Sequence, residues 1–142
     1  MWEEILSHFK EGDFQRVKVR GAELLQIFPS DERIYNLVGL AFAELREFGQ
    51  AIDIFERLLK QKSQYVPVLN NLGKTLTTIG RAGEALPHLE KANSIRPESA
   101  EICNNLGNAW KFLGERTKAL WYYQQAIKFD PKLSEAHKNI GA

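Results

Sequence analysis

Residues Asn70–Thr75 read NNLGKT, and Asn104–Ala109 read NNLGNA. The near-copy lies 34 residues on, and other residues keep the same step. Gly39, Gly73, Gly107 and Gly141 follow it, as do Ala51, Ala85 and Ala119, and Phe55, Leu89 and Tyr123. Pro97 and Pro131 stand one step apart, with Ser63 and Pro29 at the two preceding positions. Several independent columns in one register establish an internal repeat, and a repeat of this length governs the whole architecture.

Within each period the apolar spacing is helical. Val68, Leu69, Leu72, Leu76 and Ile79 form one run, which Gly80 and Gly83 interrupt. A second run passes through Ala85, Leu86, Leu89, Ala92 and Ile95 until Pro97 stops it. Ile102 to Leu113, Gly114, and Ala119 to Ile127 before Pro131 repeat the pattern. Each period therefore predicts a helix, a tight turn and an antiparallel helix. Gly in a helix costs about 0.8–1.0 kcal/mol relative to Ala, so its repetition argues for close packing. Gly73 and Ala85 are expected to face each other across the hairpin, and a side chain at Gly107 is expected to overpack the crossing.

A 34-residue hairpin with N-L-G early, Ala at the crossing, an aromatic or Leu four residues later and a closing Pro resembles the tetratricopeptide repeat. The resemblance is closest in NNLGKTLTTIGRAGEALPHLEKANSIRPES and NNLGNAWKFLGERTKALWYYQQAIKFDPKL. YNLVGLAFAELREFGQAIDIFERLLKQKS follows without the proline. The first unit is degenerate, with Ile5 in place of the glycine, Val17 of the alanine and Gly21 of the aromatic. The resemblance implies a single all-α, right-handed solenoid. Residues 1–31 would be a degenerate repeat 1, residues 32–65, 66–99 and 100–133 repeats 2 to 4, and 134–142 the truncated first helix of a fifth. That ragged end is expected of a fragment of a longer array or a multidomain protein, and its uncapped surface of self-association.

Bulk properties narrow the function. The 142 residues suffice for one sizeable core, and 44% hydrophobic with 26% charged residues is globular composition. A formal charge of +1 supplies no general field for nucleic acid or an anionic membrane. The single cysteine, Cys103, implies no internal disulfide, and MWEEILSHFKEGD resembles neither a leader nor a span. The default address is cytoplasmic. His8, His88 and His137 fall in different repeats, so neither a metal nor another cofactor is expected. Gly80-Arg81-Ala82-Gly83 reads as a turn between helices rather than a nucleotide loop, and no catalytic constellation appears, so an enzyme is not expected.

Stacked hairpins of this family curve with first helices lining the inner surface. That frame assigns to the groove Asn36, Asn70, Asn71, Lys74, Asn104, Asn105, Asn108, Lys111, Lys138 and Asn139. Leu37, Leu40 and Phe112 are its apolar candidates, and Glu44, Glu101 and Glu135 oppose a simple acidic ligand. Asn71, Asn105 and Asn139 form one column, and Asn is a poor helix former. Two readings stay open: the amides, offering donors and an acceptor, bind an extended peptide backbone, or they bond neighbouring helices within the scaffold. The column is similar to the asparagine ladder in the superhelix of O-linked N-acetylglucosamine transferase, although Leu37 departs from it. The carboxylate clamp of chaperone-tail binders matches poorly, because Glu101 or Glu135 stands where a cation is needed. The expected function is a protein–protein interaction module. A substrate-recruiting arm of a larger glycosyltransferase-like or other multidomain enzyme, and a self-assembling scaffold, are the alternatives. Trp110 and Tyr123 are expected in the core and Trp121 and Tyr122 against the next first helix, while Trp2 and Phe9 cap the array or mediate self-association.

Overall fold

The computed structural model describes residues 1–141 and contains, among them, nine helices. They are α1 (Trp2–Lys10), α2 (Phe14–Ile27), α3 (Glu32–Glu44), α4 (Phe48–Gln61), α5 (Val66–Thr78), α6 (Ala82–Ile95), α7 (Ala100–Phe112), α8 (Arg116–Phe129) and α9 (Ser134–Gly141). Consecutive helices pair as hairpins, giving an all-α solenoid. No described helix is long and apolar enough to cross a membrane.

The turn inside each hairpin has one recurring construction. Gly12, Arg46, Gly80 and Gly114, spaced by 34 residues, take φ of 78°, 61°, 86° and 83°. At α5 the Gly80 amide donates to the Thr77 carbonyl and the Arg81 amide to Leu76, at 3.0 and 2.8 Å. Those paired bonds satisfy the last carbonyls of the helix and reverse the chain, which needs a left-handed residue. Three repeats use glycine there; the second uses Arg46. The turn is shorter than GRAG suggests, since Ala82 and Gly83 already belong to α6. Asp13, Asp31 and Ser99 then cap α2, α3 and α7 by accepting the amides of Arg16, Arg33 and Ile102.

The glycine column packs against the large-residue column, not against the alanines as the sequence suggested. A Cβ on Gly73 would lie 2.4 Å from Leu89 Cγ, and one on Gly107 would lie 2.5 Å from Tyr123 Cε1. Repeat 1 redistributes that volume: Ile5 and Val17 are fully buried, and Gly21 lets Val38 of α3 approach to 2.2 Å from a would-be Cβ. Degeneracy in sequence is thus an exchange of large and small residues between helices.

The direction of curvature follows from which helices meet. Along the stack α1 touches α3, α3 touches α5, α5 touches α7 and α7 touches α9. Among the described residues no such contact joins α2, α4, α6 and α8 to one another. First helices therefore occupy the shorter, inner radius. The terminal aromatics pack inward rather than standing free. Trp2 lies under the Arg33 guanidinium at 4.7 Å, and Phe9 meets Phe14 edge-on at 5.2 Å. Tyr122 packs on the core, whereas Trp121 stays 54% exposed, contrary to its expected packing.

Candidate functional site

Positions 36, 70 and 104 form one column on the inner wall, and 71, 105 and 139 the next. Each amide of the second column reaches back one repeat. Asn71 Nδ2 donates to Asn36 Oδ1 at 2.7 Å, Asn105 Nδ2 to Asn70 Oδ1 at 2.8 Å, and Asn139 Nδ2 to Asn104 Oδ1 at 3.0 Å. The first column reaches forward instead: Asn70 Nδ2 donates to Glu101 Oε1 at 3.1 Å and Asn104 Nδ2 to Glu135 Oε2 at 3.4 Å. Two successive joints between repeats thus carry the same Glu–Asn–Asn unit. At the joint before them Pro67 occupies the glutamate's column.

This pairing explains why asparagines are tolerated mid-helix. Asn70, Asn104 and Asn105 are only 6%, 2% and 4% exposed, and a buried amide is costly unless its polar atoms are matched. The scaffold thus uses these amides as inter-repeat bonds. Asn71 and Asn105 each donate once and Asn139 twice, and the side-chain Oδ1 atoms of Asn71, Asn105 and Asn139 accept no hydrogen bond among the described residues.

Asn108 is held differently. Its Oδ1 accepts from the Tyr123 hydroxyl at 2.7 Å and from Asn139 Nδ2 at 3.1 Å. Tyr123 belongs to α8, behind the inner wall, and passes Gly107 to reach it. Burial pushes the Tyr123 phenol up to about 12, so its hydroxyl keeps the donated proton throughout the neutral range.

The structure gathers the ten sequence-assigned residues into two clusters and three exposed lysines. Asn36, Asn70 and Asn71 line a depression of about 350 Å³ with Leu40, Pro67 and Glu101. Asn104, Asn108 and Asn139 form the second cluster one repeat along, and Asn105 joins the two through Asn70. Lys74, Lys111 and Lys138 are exposed. Leu37 is buried, whereas Phe112 is 59% exposed. Sequence reasoning treated Glu101 and Glu135 only as opposing charge and Tyr123 only as core. The clue to the glutamates was their separation, 34 from each other and 31 from Asn70 and Asn104.

The comparisons with known proteins agree on the fold. A tetratricopeptide repeat model matches residues 32–65, 66–99 and 100–133. No curated protein matches the chain in sequence. Among solved structures, MamA from Desulfovibrio magneticus RS-1 superposes with a TM-score of 0.87 at 22% identity, covering 98% of this chain and 78% of that one. PilF of Pseudomonas aeruginosa gives 0.89 at 22% identity, over 98% of this chain and 64% of the other. At such identities the likeness is one of fold. The three matched segments take in most of the sequence, and the chain belongs to the tetratricopeptide repeat family.

Proposed function

We propose that this protein-interaction module holds an extended peptide or partner segment against its first helices. The reading rests on one observation: Asn36, Asn70 and Asn71 border a single depression of about 350 Å³ beside Leu40. Asn71 is half-buried and keeps a carbonyl oxygen and an amide hydrogen for a ligand. Such a pair matches a peptide backbone, and Lys74, one turn on from Asn71, would choose the neighbouring side chain. Net hydrogen bonds contribute about 0.5–1.5 kcal/mol each, so apolar contact with Leu40 is needed for useful affinity.

The test is an unbiased peptide array probed with the wild-type chain, Asn71→Ala and Lys74→Glu, with circular dichroism as a folding control. Peptides captured by the wild type and lost by Asn71→Ala would support the depression as the site. Equal capture by all three would move the site elsewhere. An empty array would favour a scaffold that associates through folded surfaces.

A further inference from the structure

The outer side of the solenoid carries a cleft between α2 and α4, floored by α3. It measures about 270 Å³, room for one large side chain. Leu25 and Val38 are buried at its base, and Phe42 and Ile54 are half-buried.

Two columns make this joint differ from the next two. Ala22 stands on the α2 wall and Ile54 on the α4 wall. One repeat on, the same positions are Glu56 and His88, and one further they are Glu90 and Tyr122. The α2 wall stays uncharged farther out, where Val19, 62% exposed, takes the column of Asp53. At the following joint the depression is bordered by Asp53, Glu56 and His88 and presents charge instead. Outward helix positions ordinarily carry polar side chains, as repeats 2 and 3 do here. An apolar wall continuous with an apolar cleft marks an interaction surface.

Charge selects what that surface takes. Two cations and no acid line the cleft. Lys18 is matched: its Nζ donates to Glu47 Oε1 at 2.6 Å and lies 5.3 Å from the Phe42 ring centre. Arg57 lies 5.7 Å over the Tyr35 ring and forms no ion pair among the described residues. An exposed guanidinium without a carboxylate thus stands at the edge of the apolar cavity.

We propose that this outer cleft docks a partner segment carrying a leucine or phenylalanine beside a carboxylate. The apolar side chain enters over Val38 and Phe42, and the carboxylate meets Arg57. The site is separate from the inner wall and does not rest on the peptide-binding reading above.

The probe is an array of short peptides that set Leu, Phe or Ala beside Asp, Asn or Lys, screened with the whole chain. Leu–Asp peptides should be held about ten-fold better than Ala–Asp ones, because a buried leucine supplies most of the binding. Their advantage over Leu–Asn should be smaller, about three-fold, as for an exposed ion pair. Ala22→Glu restores the acid that repeats 2 and 3 carry in this column. It should melt like the wild type, meet Arg57 and remove capture of Leu–Asp. Arg57→Gln should cancel the preference for Asp over Asn and keep that for Leu over Ala. Asn71→Ala, on the inner wall, should change none of these. Unaltered capture of Leu–Asp by Ala22→Glu, equal capture of Leu–Asp and Leu–Lys by the wild type, or no capture at all would overturn the proposal. Leu–Asp peptides lost by Asn71→Ala would also overturn it, by moving them to the inner wall and supporting the earlier reading instead.

Discussion

A Cβ added to Gly39 would lie 2.1 Å from Cε1 of Phe55 and 2.6 Å from two further ring atoms. Two effects compete in Gly39→Ala. Helix propensity favours alanine by about 1 kcal/mol, while overpacking a filled core costs about 1–3 kcal/mol. Phe55 is fully buried and three of its ring atoms are involved, so overpacking wins. The variant should melt several degrees lower, by about 2–4 °C per kcal/mol. Phe55→Ala should remove part of that penalty in a double-mutant cycle. Gly49 and Gly83 are helical with nothing within 4 Å of an added Cβ. There the same substitution should stabilise by about 0.4–1 kcal/mol.

Arg46 is the one described non-glycine residue with positive φ, at 61°, in a column whose other members are Gly12, Gly80 and Gly114. A left-handed L-residue costs about 1–2 kcal/mol. Stacking of Arg46 on Phe48 at 5.2 Å offsets part of this, by about 0.5–1 kcal/mol at an exposed site. Arg46→Gly should therefore raise stability by roughly 1 kcal/mol or somewhat less. A melt shifted downward would mean that the Phe48 contact outweighs the backbone strain.

The periodic columns made the hairpins and their order legible, because 34-residue spacing is a property of sequence. Partners across the hairpin were less so. Spacing fixes which face a residue occupies, not which atom meets it, and Gly73 proved to face Leu89 rather than Ala85. The assignment of asparagines to the inner wall came from the family frame. Their mutual bonds depend on packing between neighbouring repeats and join residues 35 apart, as in Asn105 with Asn70, which no local pattern reveals. Tyr123 reads as core from its place in the large-residue column; the reach of its hydroxyl past Gly107 to Asn108 is a three-dimensional fact.

Burial distinguishes two otherwise equivalent rungs. Asn105→Ala deprives the Oδ1 of Asn70 of its donor, and Asn70 is 6% exposed. An unmatched buried acceptor costs about 1–3 kcal/mol. Asn71→Ala does the same to Asn36, but Asn36 is half-buried where Asn70 is buried, and water can replace the lost amide. Its cost should be about 0.5–1.5 kcal/mol. Urea titrations of both variants check the order, and equal losses would show that the buried rung is hydrated as readily as the open one.

Acid should unfold the chain in two stages. His88, half-buried beside Glu56, is held below its ordinary value chiefly by desolvation, which the Glu56 carboxylate opposes. The unfolded chain then takes up that proton first. Stability from neutral His88 is complete above about pH 6.5 and declines as pH falls toward the lower folded value. The second stage involves Asp31 and Glu32, whose carboxyls are lowered first by hydrogen bonds from Arg33 and Lys62 respectively. Their contribution is present above the unfolded carboxylate range of about 4 and is lost as pH drops through the folded values. His88→Gln should therefore flatten the melting temperature between neutral and mildly acid pH while leaving the steeper loss in stronger acid. Superimposable pH profiles for the variant and the wild type would remove His88 as the source of the first stage.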